Sequence, residues 1–559
     1  MPYTLFRAPR HALLRTLPLA ILCAFSAGPV LAATGDLDKS FGTQGVVTAS
    51  LSDYTDHIQQ LAVQPDGNIV ALVTRSGMLL PEPETLLMRY LPNGALDTGF
   101  ADNGSLKIPS QVGLLYVSGL ALQADGKMLV AGYENQAYLD FFAHLSRYNP
   151  DGTPDASFGN GGRIVPPTSD MVIFDVAVQE DGRILITGYN LNYELIVARY
   201  LTDGTPDTSF GTQGIATAKW GAGTYGGDLA IQPDGAIIVV GEMEDDNWLH
   251  LIMTTRFSAT GQLDTGFGAD GMALIRPRND SWWDSASSIA LQPDGGIVVT
   301  GASTPSSSEI SNIVFARLDA NGRLDQSFGN KGFRIIPGSS EISFISDGLV
   351  QPDGRIFGGG GDGGQYSKMF GIRLNGNGFA DTSFSGDGRV KRKIGSRAFA
   401  NAVAVQPDGK LVLGGYTGAS STSMNEDPAM LRYLANDADN NGAAEPWDLQ
   451  PDGFSYAPRA GADGLFLVSE AATISGLGAG VAVPVKVSGG EYAVNGGTFT
   501  ALPGYLRNGD TLAVRVFSAD PDVCAAATVS VGGMYAGNST HLVLGQESIV
   551  SARFEAGCP

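Results

Sequence analysis

Little in this 559-residue chain invites an enzymatic reading: it has five histidines, three cysteines and five tryptophans, and only 16% of its residues are charged. It contains no His-Glu-x-x-His, no histidine pair spaced for zinc and no Gly-x-Ser-x-Gly elbow. No glycine-rich segment matches a P-loop or a dinucleotide fingerprint, and the run from Gly358 to Gly364 reads as a loop between strands. Basic residues are also scarce, 35 against 57 acidic ones. The resulting formal charge of −22 argues against nucleic acid or anionic lipid as a partner, because both repel an acidic surface. What the chain has in excess is glycine, 75 residues, about 13% against a usual ~7%. It lacks the one-in-three period of collagen, so the excess implies many turns between short buried strands. The length allows two to four domains.

The N-terminus reads as a secretory signal peptide, residues 1–33. Arg7, Arg10 and Arg15 form a basic lead, Leu17 to Phe25 an apolar run too short for a spanning anchor, and Val30-Leu31-Ala32 the small-residue cleavage site. A lipoprotein signal fits less well, because Leu22 precedes Cys23 where a small residue is expected. Export would remove three arginines and one cysteine, leaving a charge of about −25 and two cysteines. The expected location is secreted or in the cell envelope, either periplasm or outer surface. No later segment is long and apolar enough to cross a membrane.

A repeat of about 57 residues organises the chain from residue 34 to 435. Within that stretch Gln-x-Asp-Gly occurs seven times, beginning at Gln64, Gln123, Gln179, Gln232, Gln292, Gln351 and Gln406. A second element, Asp-x-Ser/Gly-Phe, places its phenylalanine at Phe41, Phe100, Phe158, Phe210, Phe267, Phe328 and Phe384. A third places an arginine at Arg89, Arg147, Arg199, Arg256, Arg317, Arg373 and Arg432. Each repeat reads as four strands, a to d. Leu61–Gln64 and Ile69–Val73 flank a tight Pro-Asp-Gly turn, Leu86–Leu91 forms the third strand, and the stretch from Phe100 to Ile108 holds the fourth. Strands apolar on both faces suit a sheet sandwiched between neighbours, and four-stranded sheets repeated radially make a β-propeller. The chain enters with a d-type segment, Leu37 to Ser50, and leaves after a c-type strand. The expected fold is therefore all-β: a seven-bladed β-propeller whose N-terminal strand closes the last blade, followed by a small β-sandwich.

LDKSFGTQGVV, AVQPDGKLVLGGY and VARYLTDGTPDTSFG resemble the delta-sixty repeat, a bacterial β-propeller family classed as a domain of unknown function. The resemblance implies a propeller fold in an exported or envelope protein, and it carries no catalytic residues to transfer. The sequence departs at Ala124 and Glu180 in place of the turn proline, at Gly99 and Gly266 in place of serine, and at Ser385 in place of glycine.

Recurring acids such as Asp38, Asp97 and Asp155 are expected to serve the blades rather than chemistry. In that reading Asp and Ser cap the c–d turn, Phe packs between blades, and Arg satisfies carbonyls or pairs with the Asp. In a four-stranded meander every motif turn falls on one face, while the loops that vary fall on the other, where a scaffold places function. Trp220, Trp248, Trp282 and Trp283 lie in or beside these variable loops. Glu242, Glu244, Asp245 and Asp246 accompany Trp248, and Asp280 and Asp284 flank the Trp pair. This composition suits a glycan, or a peptide carrying cationic groups. The competing reading has these tryptophans plugging gaps between loops.

The pattern stops after Tyr433. In the acidic linker, residues 436–450, Asp437, Asp439, Asn441, Glu445 and Asp448 supply oxygen ligands at calcium-loop spacing, with Gly442 for the sharp turn. Pro446 and a terminal Asp rather than Glu depart from a helix-flanked hand, and a solvated linker is the alternative. Residues 451–559 alternate and turn about every ten residues, as a β-sandwich does. VPVKVSGGEYAVNGGTFTALPGYLRNGDTLAVRV resembles an immunoglobulin-like module of bacterial surface proteins, which implies a spacer or adhesive role. Cys524 and Cys558 are expected to form a disulfide in an oxidising compartment.

Three functions compete: an exported non-catalytic ligand-binding or adhesion scaffold, a carbohydrate-active hydrolase or lyase with carboxylates near the propeller axis, and a structural envelope protein. The expected protein is a monomer with no cofactor beyond calcium.

Overall fold

The computed structural model describes residues 34–435 apart from 50–53, 78–79, 81, 112, 138–139, 165–169, 308–309, 339–341, 363–367 and 419–424. Beyond these it describes 465–469, 471–474, 482–488, 491–500, 504–507, 509–518, 525–532 and 549–556. The leader, the linker with its five candidate calcium ligands, and both Cys524 and Cys558 lie outside the described residues. Among the described residues there is no helix, so none is long and apolar enough to cross a membrane.

All regular structure is β, and nearly all of it antiparallel. A short strand, β1 (Val46–Thr48), precedes the first sheet, β2 (Thr55–Val63), β3 (Ile69–Ser76), β4 (Glu84–Tyr90) and β5 (Ser105–Ile108). The second repeat gives β6 (Leu114–Leu122), β7 (Met128–Ala137) and β8 (Asp140–Tyr148). At the place of the expected fourth strand the described residues show a bridge, Ser146 to Arg163, and Arg163 pairs with Glu134 at 2.8 Å; residues 165–169 lie outside the described residues. The third repeat forms β9 (Met171–Val178), β10 (Ile184–Asn190), β11 (Leu195–Tyr200) and β12 (Ile215–Ala218). The fourth forms β13 (Gly223–Ile231), β14 (Ile237–Glu244), β15 (His250–Phe257) and β16 (Met272–Ile275). The fifth forms β17 (Ser281–Leu291), β18 (Ile297–Pro305), β19 (Asn312–Leu318) and β20 (Phe333–Ile336). The sixth forms β21 (Ile342–Val350), β22 (Ile356–Asp362), β23 (Lys368–Leu374) and β24 (Arg389–Arg392). The seventh forms β25 (Arg397–Val405), β26 (Leu411–Gly418) and β27 (Glu426–Tyr433), and β1 joins it by pairing Val46 with Leu431. The innermost strands touch in sequence, β2, β6, β9, β13, β17, β21 and β25, and β25 touches β2.

The recurring residues form the seams between sheets. Arg199 Nε donates to Asp207 at 2.8 Å, a second guanidinium nitrogen donates to the Ala259 carbonyl in the next sheet's turn, and the guanidinium lies 4.5 Å from the centre of the Phe210 ring. The same arrangement recurs at Arg89, Arg147, Arg256, Arg373 and Arg432. Arg317 departs from it: it reaches back to Asp294 as well as Asp325, into room that Gly296 leaves by having no side chain. In each of the seven Gln-x-Asp-Gly turns of the repeats the Asp accepts the backbone N–H two residues on. The motif residues are thus consumed by turns and seams.

The sequence reading missed a bulge in the first strand of every sheet. The register slips at Ile58/Gln60, Val117/Gly119, Gly226/Asp228, Ala286/Ser288, Ile345/Asp347 and Ala400/Ala402, and in the third sheet opposite Thr187/Gly188. Opposite it stands a glycine in six sheets, such as Gly241, where a Cβ would lie 1.9 Å from the Tyr225 carbonyl oxygen. A bulge needs that close backbone approach. The same requirement corrects the reading of the Gly358–Gly364 run: Gly358 to Gly361 lie inside β22, with Gly360 opposite the bulge.

The described residues from 465 onward form two four-stranded antiparallel sheets. One contains β28 (Leu465–Val468), β29 (Ala472–Thr473), β31 (Glu491–Val494) and β33 (Thr511–Ser518); the other contains β30 (Ala482–Ser488), β32 (Gly504–Arg507), β34 (Ala525–Gly532) and β35 (Ile549–Ala556). Val485, Val487, Tyr492, Leu506, Leu512 and Val514 are buried there.

Candidate functional site

The motif turns end strands a and c on one face, so the starts of the a strands and the b–c connections share the opposite face. Of the six large aromatic side chains exposed among the described residues, five lie there: Tyr116 at 42%, Tyr193 at 49%, Trp248 at 75%, Trp282 at 47% and Trp283 at 37%, with Phe379 on the motif face.

The four candidate tryptophans part company. Trp220 is half-buried against the core of the third and fourth sheets, as the plugging reading requires. Trp248 stands at the tip of a tight turn with φ of 62°, and Asp245 is spent on that turn, accepting from the N–H groups of Asn247 and Leu249. Asp246 is exposed beside it. Trp282 and Trp283 meet edge to face at 5.7 Å, and Trp283 stacks on His250 at 3.8 Å. A single parallel bridge, His250 to Trp283, joins the fourth and fifth sheets at this point. Glu242 lies 3.5 Å from His250, and burial pushes its carboxyl up despite the imidazole. Asp280 is exposed but held by both ends of the Arg278 guanidinium at 2.9 Å. Asp284 is buried and accepts from Ser281 at 2.8 Å. The structure therefore brings together Trp282, Trp283, His250 and Glu242, and turns Asp284 away from solvent.

A second aromatic group escaped the sequence reading because tyrosine, unlike tryptophan, is not rare in this chain. Tyr116 stacks on Tyr133 at 5.1 Å, and Tyr133 meets Phe141 edge-on at 5.7 Å. In the next two sheets Phe174 lies 5.9 Å from Tyr189, Tyr189 lies 5.0 Å from Tyr225, and Tyr193 lies 6.0 Å from Tyr225. The signal that finds it is positional: seven residues before each motif glutamine stand His57, Tyr116, Val172, Tyr225, Ser285, Phe344 and Phe399. Beneath the band, Glu134 is buried, yet hydrogen bonds from His144 and Arg163 overcome the burial and hold it at about 2. Burial pushes His144 below the ordinary imidazole range, against the hydrogen bond with Glu134.

Carboxylates do converge at the innermost strands, on the bulges. Asp228, enclosed by protein with only an edge accessible, accepts from Leu229 N–H at 2.8 Å and from Ile289 N–H of the next sheet at 2.9 Å. Asp347 accepts from Gly348 N–H and from Val403 N–H of the next sheet, both at 2.8 Å. Asp175 reaches Leu229 N–H of the next sheet at 3.3 Å. Burial, the Asp175 charge and a hydrogen bond with Asp175 push Asp228 well above the carboxylate range. Burial, with a smaller push from Asp175, raises Asp347 to about 7 although two N–H groups oppose it. These acids clamp neighbouring sheets through backbone donors. Among the described residues no group of three or more His, Cys, Asp and Glu is arranged to hold a metal.

Five segments of the chain, residues 64–100, 123–158, 179–210, 292–328 and 406–438, match the family model described as "Domain of unknown function (DUF5122) beta-propeller". The fourth and sixth motif copies fall between them. No curated protein matches the chain. Among solved structures, it is similar to a protein of unknown function from Dyadobacter fermentans, at 12% identity over 70% of this chain and 99% of that one, with a TM-score of 0.40. It is also similar to a fungal alcohol oxidase of the AA5 family in complex with copper, at 13% identity over 91% and 98% and a TM-score of 0.40. A third is Drosophila Semaphorin 2a, at 8% identity over 94% and 98% and a TM-score of 0.39. Over those five segments the chain is similar to repeats of a β-propeller domain of unknown function.

Proposed function

We propose that this protein is an exported, non-catalytic binding scaffold: a closed seven-bladed β-propeller that holds a ligand on its variable-loop face, with the C-terminal sheets as an immunoglobulin-like spacer. Closure is supported by β1 pairing with β27, by the contact of β25 with β2, and by the mutual influence of Asp175, Asp228 and Asp347 from the third, fourth and sixth sheets. One observation carries the binding reading. Five exposed aromatic side chains lie on the face that the motif residues leave free, and exposed aromatics grouped on one face mark contact surfaces.

The hydrolase reading has its acids at the axis, but both oxygens of Asp228 and of Asp347 already accept backbone donors. A general acid must reach a substrate oxygen, so the scaffold reading is the better supported. Export rests on the leader, and calcium at Asp437, Asp439, Asn441, Glu445 and Asp448 would stiffen the junction before the final domain.

The test is retention of the full chain on soluble polysaccharides and peptides, with reducing-end release measured in parallel. The scaffold reading expects binding without turnover, weakened by substitutions among the variable-face aromatics and indifferent to Phe379→Ala on the motif face. Turnover, or loss only in Phe379→Ala, would overturn it.

A further inference from the structure

The tyrosine band identifies the ligand chemistry more closely than the Trp cluster does. Its residues stand at the outer ends of β6, β7, β9, β10 and β13, with Tyr193 in the turn after β10. Blade geometry does not demand them. The register that pairs Tyr116 with Tyr133 in the second sheet pairs Ser285 with Ala302 in the fifth and Phe344 with Gly361 in the sixth. In the seventh sheet the same register pairs Phe399 with Tyr416, but both of those rings are buried, so what sets this sector apart is exposure, with Tyr116 and Tyr193 open to solvent.

The phenols also share one surrounding. Burial raises the Tyr133 hydroxyl, and so do neighbouring Tyr189 and Tyr116; burial raises Tyr225 to about 12, helped by Glu244, Tyr193 and Tyr189. Burial raises Tyr189 as well, so the hydroxyls of Tyr133, Tyr189 and Tyr225 are neutral donors and acceptors at physiological pH. Tyr225 donates to Glu244 at 3.3 Å, and Tyr116 and Tyr193 are exposed phenols. An apolar partner would bury those hydroxyls without hydrogen bonds, at a cost. An anionic glycan would meet a chain of charge −22. A pyranose ring offers what the band lacks: C–H faces to lie on the rings and hydroxyls to pair with the phenols.

We infer that Tyr116, Tyr133, Tyr189, Tyr193 and Tyr225 form a subsite for a neutral polysaccharide chain, laid across the second, third and fourth sheets. This rests on the variable face being a binding face, but it fails separately from that reading.

Affinity electrophoresis and calorimetry of the full chain with dextran, laminarin, galactomannan and arabinoxylan test it, with an oligo-arginine peptide as the cationic comparison. At least one neutral glycan should bind. Tyr116→Ala/Tyr189→Ala should weaken that binding at least ~10-fold, and the triple variant Tyr116→Phe/Tyr133→Phe/Tyr189→Phe, which keeps the rings and their packing, should weaken it several-fold. Trp282→Ala/Trp283→Ala should leave it within about threefold. Glycan binding that survives the tyrosine variants but is lost in the tryptophan variant overturns this subsite and leaves the scaffold reading standing. Binding of the oligo-arginine peptide alone, or of nothing in the panel, overturns the assignment to neutral glycans.

Discussion

The buried carboxyl of Asp347 makes stability depend on pH with a sign opposite to that of ordinary paired carboxylates. Its pKa is raised from 3.8 to about 7 in the fold. A raised native pKa means that the native state holds a proton the unfolded chain gives up, so the stabilisation is full below pH ~4 and declines as pH rises toward ~7. Three units at 1.36 kcal/mol each amount to about 4 kcal/mol, of which about 2.6 kcal/mol falls between pH 5 and pH 8. Asn in its place cannot titrate. It also offers a single acceptor to the two N–H groups of Gly348 and Val403, which costs about 1–2 kcal/mol at every pH. Asp347→Asn should therefore be less stable than the wild type at pH 4 and more stable at pH 8. At ~2.1 cal/mol/K per residue over roughly 400 propeller residues, 2.6 kcal/mol corresponds to a change of about 3 °C. The difference in Tm between wild type and variant, followed by calorimetry in matched buffers, isolates this residue from every other titrating group. A difference that stays constant within about 1 °C from pH 5 to pH 8 would refute a native-state proton on Asp347.

Other perturbations reach other parts of the same construction. Arg373 is fully buried, bonded to Asp381 and to the Ala435 carbonyl; Arg373→Ala strands that carboxylate and should cost about 3–5 kcal/mol, or about 4–6 °C in Tm, measured by thermal melting. Gly241→Ala places a Cβ on the Tyr225 carbonyl at the bulge and should cost about 2 kcal/mol or more, whereas Gly496→Ala meets open space and should act only through its positive φ; chemical denaturation compares them. The last pair of β34 and β35, Ala525 with Ala556, ends one residue from Cys524 and two from Cys558, so mass spectrometry without reduction should find them joined. Calorimetric titration of the full chain with calcium should show one site that disappears in Asp437→Ala/Asp439→Ala, and no heat above dilution in the wild type would remove it.

How much of this was legible follows from what each residue answers to. The motif Arg, Asp and Phe repeat because each satisfies the same local geometry in every sheet, so counting them located turns, seams and sheet boundaries before any coordinates. The bulge was hidden, although six glycines mark it, because a glycine inside a strand looks like any other glycine until its partner's carbonyl is placed 1.9 Å from its absent Cβ. The Trp cluster was found by rarity, but rarity says nothing of direction. Asp284 and Trp220 turn inward, and His250, absent from the expected site, lies against Trp283 because one bridge joins two sheets that the sequence separates by a turn, a strand and a loop. The tyrosine band needed both kinds of information, a position fixed by the repeat and a departure from it. A residue that every blade keeps is explained by the blade; a ring that is buried at this position in the seventh sheet, as Phe399, and open to solvent in the second, as Tyr116, is left to be explained by whatever touches that face.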